Sequence, residues 1–280
     1  MGRVVVVGAL SVELFTVMDR LPGPGETVAA LYGPQRSVGG RGVNQALAAR
    51  VAGADVVMVG AVGDDDLGRA CADHLEARGV QTRVTVVQGE ATGQTWVLDG
   101  SSEGLVRVVL PGANDAFGAL EALKAREALD WVMESDVVIV SAELSLPLVV
   151  AAVLRADARG AQVVVSCAPY ADLPSEVVDI SDPLVVNEQG VAALADGQML
   201  PRSLVVTFGP AGSTWDGERV YAAALPEYAA VGSTGAGDAF CGTLAAALAD
   251  GADRHTALLR ANRAGAACIQ RLGPWVGRRL

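Results

Sequence analysis

The stretch that decides the fold runs from Val137 to Val165 and reads VVIVSAELSLPLVVAAVLRADARGAQVVV. A β-branched run, Val137–Val140, precedes a segment of helical length, Leu148–Ala158, and a second run, Val163–Val165, closes the unit. Continuous apolar runs of this length, without polar alternation, suit strands covered on both faces, as in a parallel sheet. The helix between them is the crossover that a parallel pair requires. Outward from this unit the pattern recurs. Val4–Val7, Val56–Val59, Leu184–Val186 and Leu204–Val206 read as further buried strands, and Val43–Val51, Leu67–Ala77 and Phe117–Met133 as helices. Asp64-Asp65-Asp66 offers caps for the second of these helices and Asn114-Asp115 for the third. The alternation predicts an α/β layered domain that binds ligands at the carboxyl ends of its strands.

Two regions break the rhythm. Glu13–Val38 carries Pro22-Gly23-Pro24-Gly25 between short extended segments, and Val84–Leu110 holds strand-like pieces at Val84–Val87, Thr95–Leu98 and Leu105–Val109. They read as antiparallel strands without helices, forming a small sheet outside the main layer and placed to act as a lid. The expected organisation is one domain over residues 1–280, with lid segments at about 13–38 and 84–110 inserted in the core.

Bulk properties narrow the function. Half of the 280 residues are hydrophobic (51%), enough for a large core, and the net charge of −11 argues against a general nucleic-acid binder. No apolar run reaches the roughly 20 residues of a membrane span. The amino-terminal valines, ended by Gly8, are too short for a secretory signal, and four dispersed cysteines without a CxxC pair read as reduced cytosolic thiols. Lys124 is the sole lysine, so no Walker-type phosphate loop exists. His74 and His255 lack closely spaced partners, which disfavours a zinc site or a Ser-His-Asp triad.

The chemistry concentrates in two stretches. Ser233-Thr234-Gly235-Ala236-Gly237-Asp238 enters an Ala-rich helix. The free N–H groups of such a helix start, with the positive end of its dipole, suit a phosphate. A carboxylate in that first turn makes sense as a base for an attacking hydroxyl, although a simple helix cap reads equally well from local physics. Earlier, Gly39-Gly40-Arg41-Gly42-Val43-Asn44-Gln45 also enters an Ala-rich helix, and Asn44 offers the donor and acceptor that sugar hydroxyls need. A plain turn into a helix is the alternative there.

The two motifs in this order, with Pro24-Gly25-Glu26-Thr27, Val62-Gly63-Asp64-Asp65, Gly112-Ala113-Asn114, Ala142-Glu143-Leu144, Asn187-Glu188 and Thr207–Gly212, extend over most of the chain. The chain thereby resembles the ribokinase-like carbohydrate kinases, the PfkB family. The resemblance implies a three-layer α/β/α sandwich with a small β-sheet lid, and ATP-dependent phosphorylation of a sugar or nucleoside hydroxyl. It implies Asp238 as the base and Gly235, Ala236 and Gly237 as an anion hole. Ser11, Glu13, Gly40, Arg41, Asn44 and Glu143 would face the acceptor. Asn187, Thr207, Gly209, Gly212 and Asn262 would bind the nucleotide, whose Mg²⁺ bridges phosphate oxygens through waters.

The chain departs from the family pattern at four places. Ser11 and Glu13 stand where the family often has an Asn-x-Asp pair, so the acceptor is expected to differ from ordinary ribose. Asn187-Glu188-Gln189-Gly190 ends in glycine where the family has a glutamate that helps hold the Mg²⁺ water shell. Gly232 replaces an aspartate of the potassium-activated branch, which argues against potassium activation. A final strand of longer relatives is expected to be missing after Pro274-Trp275. A nucleoside kinase, or a ligand-binding relative with weak catalysis, remains the alternative. The exposed edges of a lid sheet suggest a homodimer in the cytoplasm.

Overall fold

A computed structural model describes residues 2–100, 104–119, 128–167, 172–197, 199–222 and 235–269. Lys124, Gly232, Ser233, Thr234, Pro274 and Trp275 lie outside them. All six valine-rich runs are strands: β1 (Arg3–Val7), β4 (Asp55–Gly63), β8 (Val137–Ser141), β9 (Gln162–Ser166), β10 (Leu184–Asn187) and β11 (Leu204–Thr207). With β5 (Gln81–Val87), β12 (Ser213–Trp215) and β13 (Glu218–Val220) they form, among the described residues, a nine-stranded sheet in the order β13-β12-β11-β10-β9-β8-β1-β4-β5. From β11 to β5 every pairing is parallel, and β11-β12-β13 is an antiparallel meander.

Alternating side chains feed two cores, which is why the strands read as unbroken apolar runs. Val4, Val6, Val56, Met58 and Ile139 pack with α1 (Arg41–Val51), α2 (Asp66–Glu76), α7 (Ala236–Ala249) and α8 (Arg254–Ile269). Val5, Val7, Val57, Val138 and Val140 pack on the other face with α4 (Leu146–Ala158), α5 (Ser175–Ile180) and α6 (Glu188–Asp196). Helices on both faces of one sheet make a three-layer α/β/α sandwich.

Three differences from the sequence reading have physical causes. The segment containing Val84–Val87 pairs in parallel with β4 and extends the main sheet, so it is not part of the small one. Half-buried residues alternating with exposed ones suit a sheet edge as well as a lid, and sequence alone does not separate the two. The small sheet runs β3-β2-β6-β7, from β3 (Ala30–Gly39), β2 (Ser11–Met18), β6 (Gly93–Asp99) and β7 (Leu105–Leu110). Its central pair, β2 with β6, is parallel rather than antiparallel, because the intervening main-sheet strands carry the chain back to the same end. Of the expected helix Phe117–Met133, residues 120–127 lie outside the described residues; Phe117 to Ala119 end α3 (Ala113–Ala119), and the Met133 N–H donates to Asp136 at 2.8 Å. Asn114 lies inside α3 rather than ahead of it, and its amide brackets Leu10, accepting the Leu10 N–H at 3.0 Å and donating to its carbonyl at 2.8 Å. Asp65 does cap α2, through the Gly68 N–H at 2.8 Å.

Among the described residues no helix is long and apolar enough to cross a membrane. All four cysteines are buried. Burial pushes the thiols of Cys71 and Cys241 up to about 12 and about 11, far from the reactive thiolate range.

Candidate active site

The first turns of α1 and α7 meet at the carboxyl edge of the main sheet. Glycine permits each start. Gly235, before α7, is left-handed (φ 81°), and among the described residues no side chain caps the helix. Gly40, before α1, has φ 93°, and a Cβ there would sit 2.6 Å from the Ala9 carbonyl oxygen. Lower down, a Cβ at Gly242 would lie 2.2 Å from the Gln45 carbonyl oxygen, so the two helices touch backbone to backbone.

That approach delivers three donors of α1 to one carboxylate. Arg41 Nε donates to Asp238 Oδ1 at 3.1 Å, Gln45 Nε2 to the same oxygen at 3.2 Å, and Asn44 Nδ2 to Oδ2 at 3.3 Å. Asp238 is 6% exposed, and a buried carboxylate needs such partners. Ala236 and Gly237 stand beside it, and the position of a Gly237 Cβ has nothing within 4 Å, so this side of the helix start is open. Ser166, the last residue of β9, accepts from Arg41 Nη2 at 3.1 Å and Gln45 Nε2 at 3.2 Å, and Cys241 Sγ lies 3.5 Å away.

Two further carboxylates border the pair. Glu143, just after β8, accepts the Ala9 N–H at 3.3 Å. Water reaches it on its open side, but protein crowds the other side, and this burial pushes its carboxyl up to about 7; Arg41 opposes the shift and Asp238 adds to it. Glu13 lies flat across Gly39, where a Cβ would meet its carboxyl carbon at 2.9 Å. Burial raises its pKa, Arg107 opposes this, and Asp238 adds to it. Burial works against the charge of Arg41, but Asp238 and Glu143 outweigh it and its pKa is raised. Ser11 is two residues before Glu13 on β2 and pairs with Gly39; its buried Oγ has no partner among the described residues.

The residues expected to bind the nucleotide gather further along the same edge. Asn187 and Thr207 face each other in register at the ends of β10 and β11. Asn187 Oδ1 caps α6 through the Gly190 N–H at 3.0 Å, and Thr207 Oγ1 donates to the Val186 carbonyl at 3.3 Å. Gly209 (φ 54°) and Gly212 (φ 93°) shape the turn that follows, which closes with Phe208 N–H donating to the Gly212 carbonyl at 2.8 Å. Asn262 of α8 is buried, and both ends of its amide are used within the fold. It accepts from Ser213 Oγ and donates to the Val220 carbonyl, each at 3.0 Å. It ties α8 to the β12–β13 hairpin. Among the described residues no three His, Cys, Asp or Glu side chains cluster, and Gly190 brings no side chain to this edge.

Sequence reading named neither Gln45 nor Ser166 as a contact of the carboxylate network. Gln45 stands inside the glycine-rich stretch already singled out. Ser166 is the polar residue that ends a valine run, at the strand end where such sheets place working side chains.

The sequence profile described as pfkB family carbohydrate kinase matches residues 1–276. The ribokinase of Bacillus subtilis (strain 168) is 32% identical, over 98% of this chain and 94% of its own length. The ribokinase of Staphylococcus aureus (strain COL) is 25% identical, over 97% of this chain and 95% of its own. Among solved structures, Arabidopsis thaliana ribokinase complexed with ribose and ATP superposes with a TM-score of 0.81 at 26% identity, covering 97% of this chain and 94% of that one. A Burkholderia thailandensis nucleoside kinase in complex with inosine shares the fold, with a TM-score of 0.78 at 20% identity over 98% and 92% of the two chains.

Proposed function

The chain belongs to the pfkB family of carbohydrate kinases, and from that premise we propose that Asp238 takes the proton of a sugar-like hydroxyl as that oxygen attacks the γ-phosphoryl group of ATP. An ATP-dependent carbohydrate kinase is the activity that full-length similarity to several ribokinases supports. The observation that carries the assignment is the buried Asp238 carboxylate in the first turn of α7, held by Arg41, Asn44 and Gln45.

In this reading the phosphates of ATP approach Gly235, Ala236 and Gly237, and the nucleotide lies along the edge past Asn187, Thr207, Gly209 and Gly212. Asn262 supports that stretch from behind. The acceptor sits among Gly40, Arg41, Asn44, Glu13 and Glu143, with Ser11 below. Bound with the nucleotide, Mg²⁺ would supply charge neutralisation at the phosphate oxygens. The protein itself orients the hydroxyl, accepts its proton at Asp238 and excludes water, so catalysis is mainly positioning and charge stabilisation. Glu13 reaches about one methylene further than an aspartate, and Ser11 brings no amide, which favours a polyol acceptor other than ribose.

The small sheet is the proposed lid, because Glu13 and Gly39 belong to it and its movement would open or close the acceptor side. Its edge strand β7 is exposed throughout, with Val106, Val108 and Val109 open to solvent, and a symmetric dimer across this sheet is the proposed cover. Light scattering reads that state directly. A cytoplasmic location fits the buried cysteines, none of which calls for an oxidising compartment.

The test is ADP release with a panel of sugars, nucleosides and aminocyclitols, on wild type and Asp238→Asn. At least ~10²-fold loss of turnover in the variant, with acceptor binding kept, is expected. Near-normal turnover would remove Asp238 from its role, and tight binding without any turnover in the wild type would make the chain a binding protein.

A further inference from the structure

The reading of Asp238 as base leaves Ser166, buried beside it, without a part. It is 1% exposed at the end of β9. Its Oγ is met by Arg41 Nη2 at 3.1 Å and by Gln45 Nε2 at 3.2 Å. The same two side chains place their other donors on Asp238 Oδ1, at 3.1 and 3.2 Å. Ser166 is thus a second anchor shared by both donors, and the Gln45 amide spends both its protons between the serine and the aspartate.

A neighbouring serine shows that burial alone does not explain this. Ser141 ends β8 in direct register with Ser166 and is equally inaccessible, yet its Oγ has no partner among the described residues. Two serines stand at one level of one sheet edge, and only Ser166 is wired to the base.

We infer that Ser166 is a positioning residue for phosphoryl transfer. It fixes Arg41 and Gln45 on Oδ1, so that Oδ2, met by Asn44 alone among the described residues, is the oxygen that accepts the hydroxyl proton. No bond forms or breaks at Ser166; the proton passes from the acceptor oxygen to Oδ2 as that oxygen bonds to the γ-phosphorus and the bond from that phosphorus to the β,γ-bridging oxygen breaks, the electron pair leaving with ADP. The inference rests on the proposed role of Asp238. The charged and titratable groups around that carboxylate are Arg41 of α1, Glu13 of β2, Glu143 after β8 and Cys241 of its own helix, with Arg107 of β7 facing Glu13.

The experiment compares Ser166→Ala, Ser141→Ala and Asp238→Asn with wild type by steady-state kinetics across the neutral pH range and by thermal unfolding. Ser166→Ala is expected to lower kcat about tenfold, within the range that loss of orientation costs. The KM values for acceptor and for ATP are expected to stay within about twofold of wild type, because Ser166 acts only through Arg41 and Gln45. Ser141→Ala is expected to follow wild type in kcat and in both KM values. If Ser166→Ala and Ser141→Ala superimpose in kcat, the inference is wrong. A lower kcat in Ser166→Ala that comes with a parallel rise in both KM values assigns the loss to packing and also overturns it. Asp238→Asn separates the two levels: normal turnover there removes the base itself, whereas silence there with an unaffected Ser166→Ala removes only the serine's part.

Discussion

Gly242→Ala puts one methyl group into the contact between α1 and α7. The added carbon would begin 2.2 Å from the Gln45 carbonyl oxygen, 2.7 Å from the Ala48 Cβ and 3.0 Å from the Ala49 nitrogen. Two of these three atoms are backbone, so no side chain can swing away, and ordinary contact requires the helices to part by about 1 Å. Gln45 is both the obstacle and a donor to Asp238. The 3.1–3.3 Å hydrogen bonds from Arg41, Asn44 and Gln45 would therefore stretch past useful length together. Overpacking of this kind costs about 1–3 kcal/mol, which for a chain of this size lowers Tm by roughly 2–5 °C. Misplacing a reacting group by ~1 Å can cost ~10²-fold in rate, so kcat should fall by more than the stability loss alone explains. Calorimetry and steady-state kinetics below the variant's Tm measure the two effects separately. Gly237→Ala, whose Cβ meets nothing within 4 Å, serves as the stability control. Wild-type Tm and kcat in Gly242→Ala would refute the idea that helix contact sets the geometry of the carboxylate.

Two other outcomes follow from the same site. The Glu143 carboxyl, raised to about 7 from an ordinary value of 4.5, binds its proton more tightly folded than unfolded, so its contribution opposes folding increasingly as pH rises through that interval. Glu143→Gln should therefore gain Tm relative to wild type as pH increases from the acid side to above neutrality; a difference that shrinks instead would contradict the burial argument. Asn262→Ala strands a buried Ser213 hydroxyl and the Val220 carbonyl, at a cost of about 1–3 kcal/mol, and should raise the KM for ATP more than that for the acceptor. An unchanged KM for ATP would detach the hairpin from the nucleotide.

Much of the layered core was legible because buried parallel strands need apolar residues on both faces, and Val4–Val7 or Val137–Val140 admit few other readings. The position of Gln81–Val87 was not legible, since an edge strand and a lid strand share one pattern of half-burial. Nor was the parallel pairing of β2 with β6, which depends on where the chain travels between them. Asn114 reads as a cap because an amide near a helix start suits that role locally; its place inside α3 and its bonds to Leu10, 104 residues away, are set by packing. At the candidate site, residue types and glycine-rich turns pointed to two separate stretches. That Arg41 and Asp238, 197 positions apart, share one ion pair is set by the α1–α7 contact. Asn262 shows the converse: its place could be guessed, but its amide is committed to Ser213 and Val220, which only the packed hairpin reveals.

The donors that hold Asp238 lie near the start of the chain and the carboxylate lies near its end. A ribosome that stalls anywhere between them releases a product with the clamp and no carboxylate. A fragment that begins after α1 has the carboxylate and no clamp. On the proposed role of Asp238 neither truncated product would transfer a phosphoryl group, so the arrangement ties the onset of chemistry to having both stretches in one folded chain.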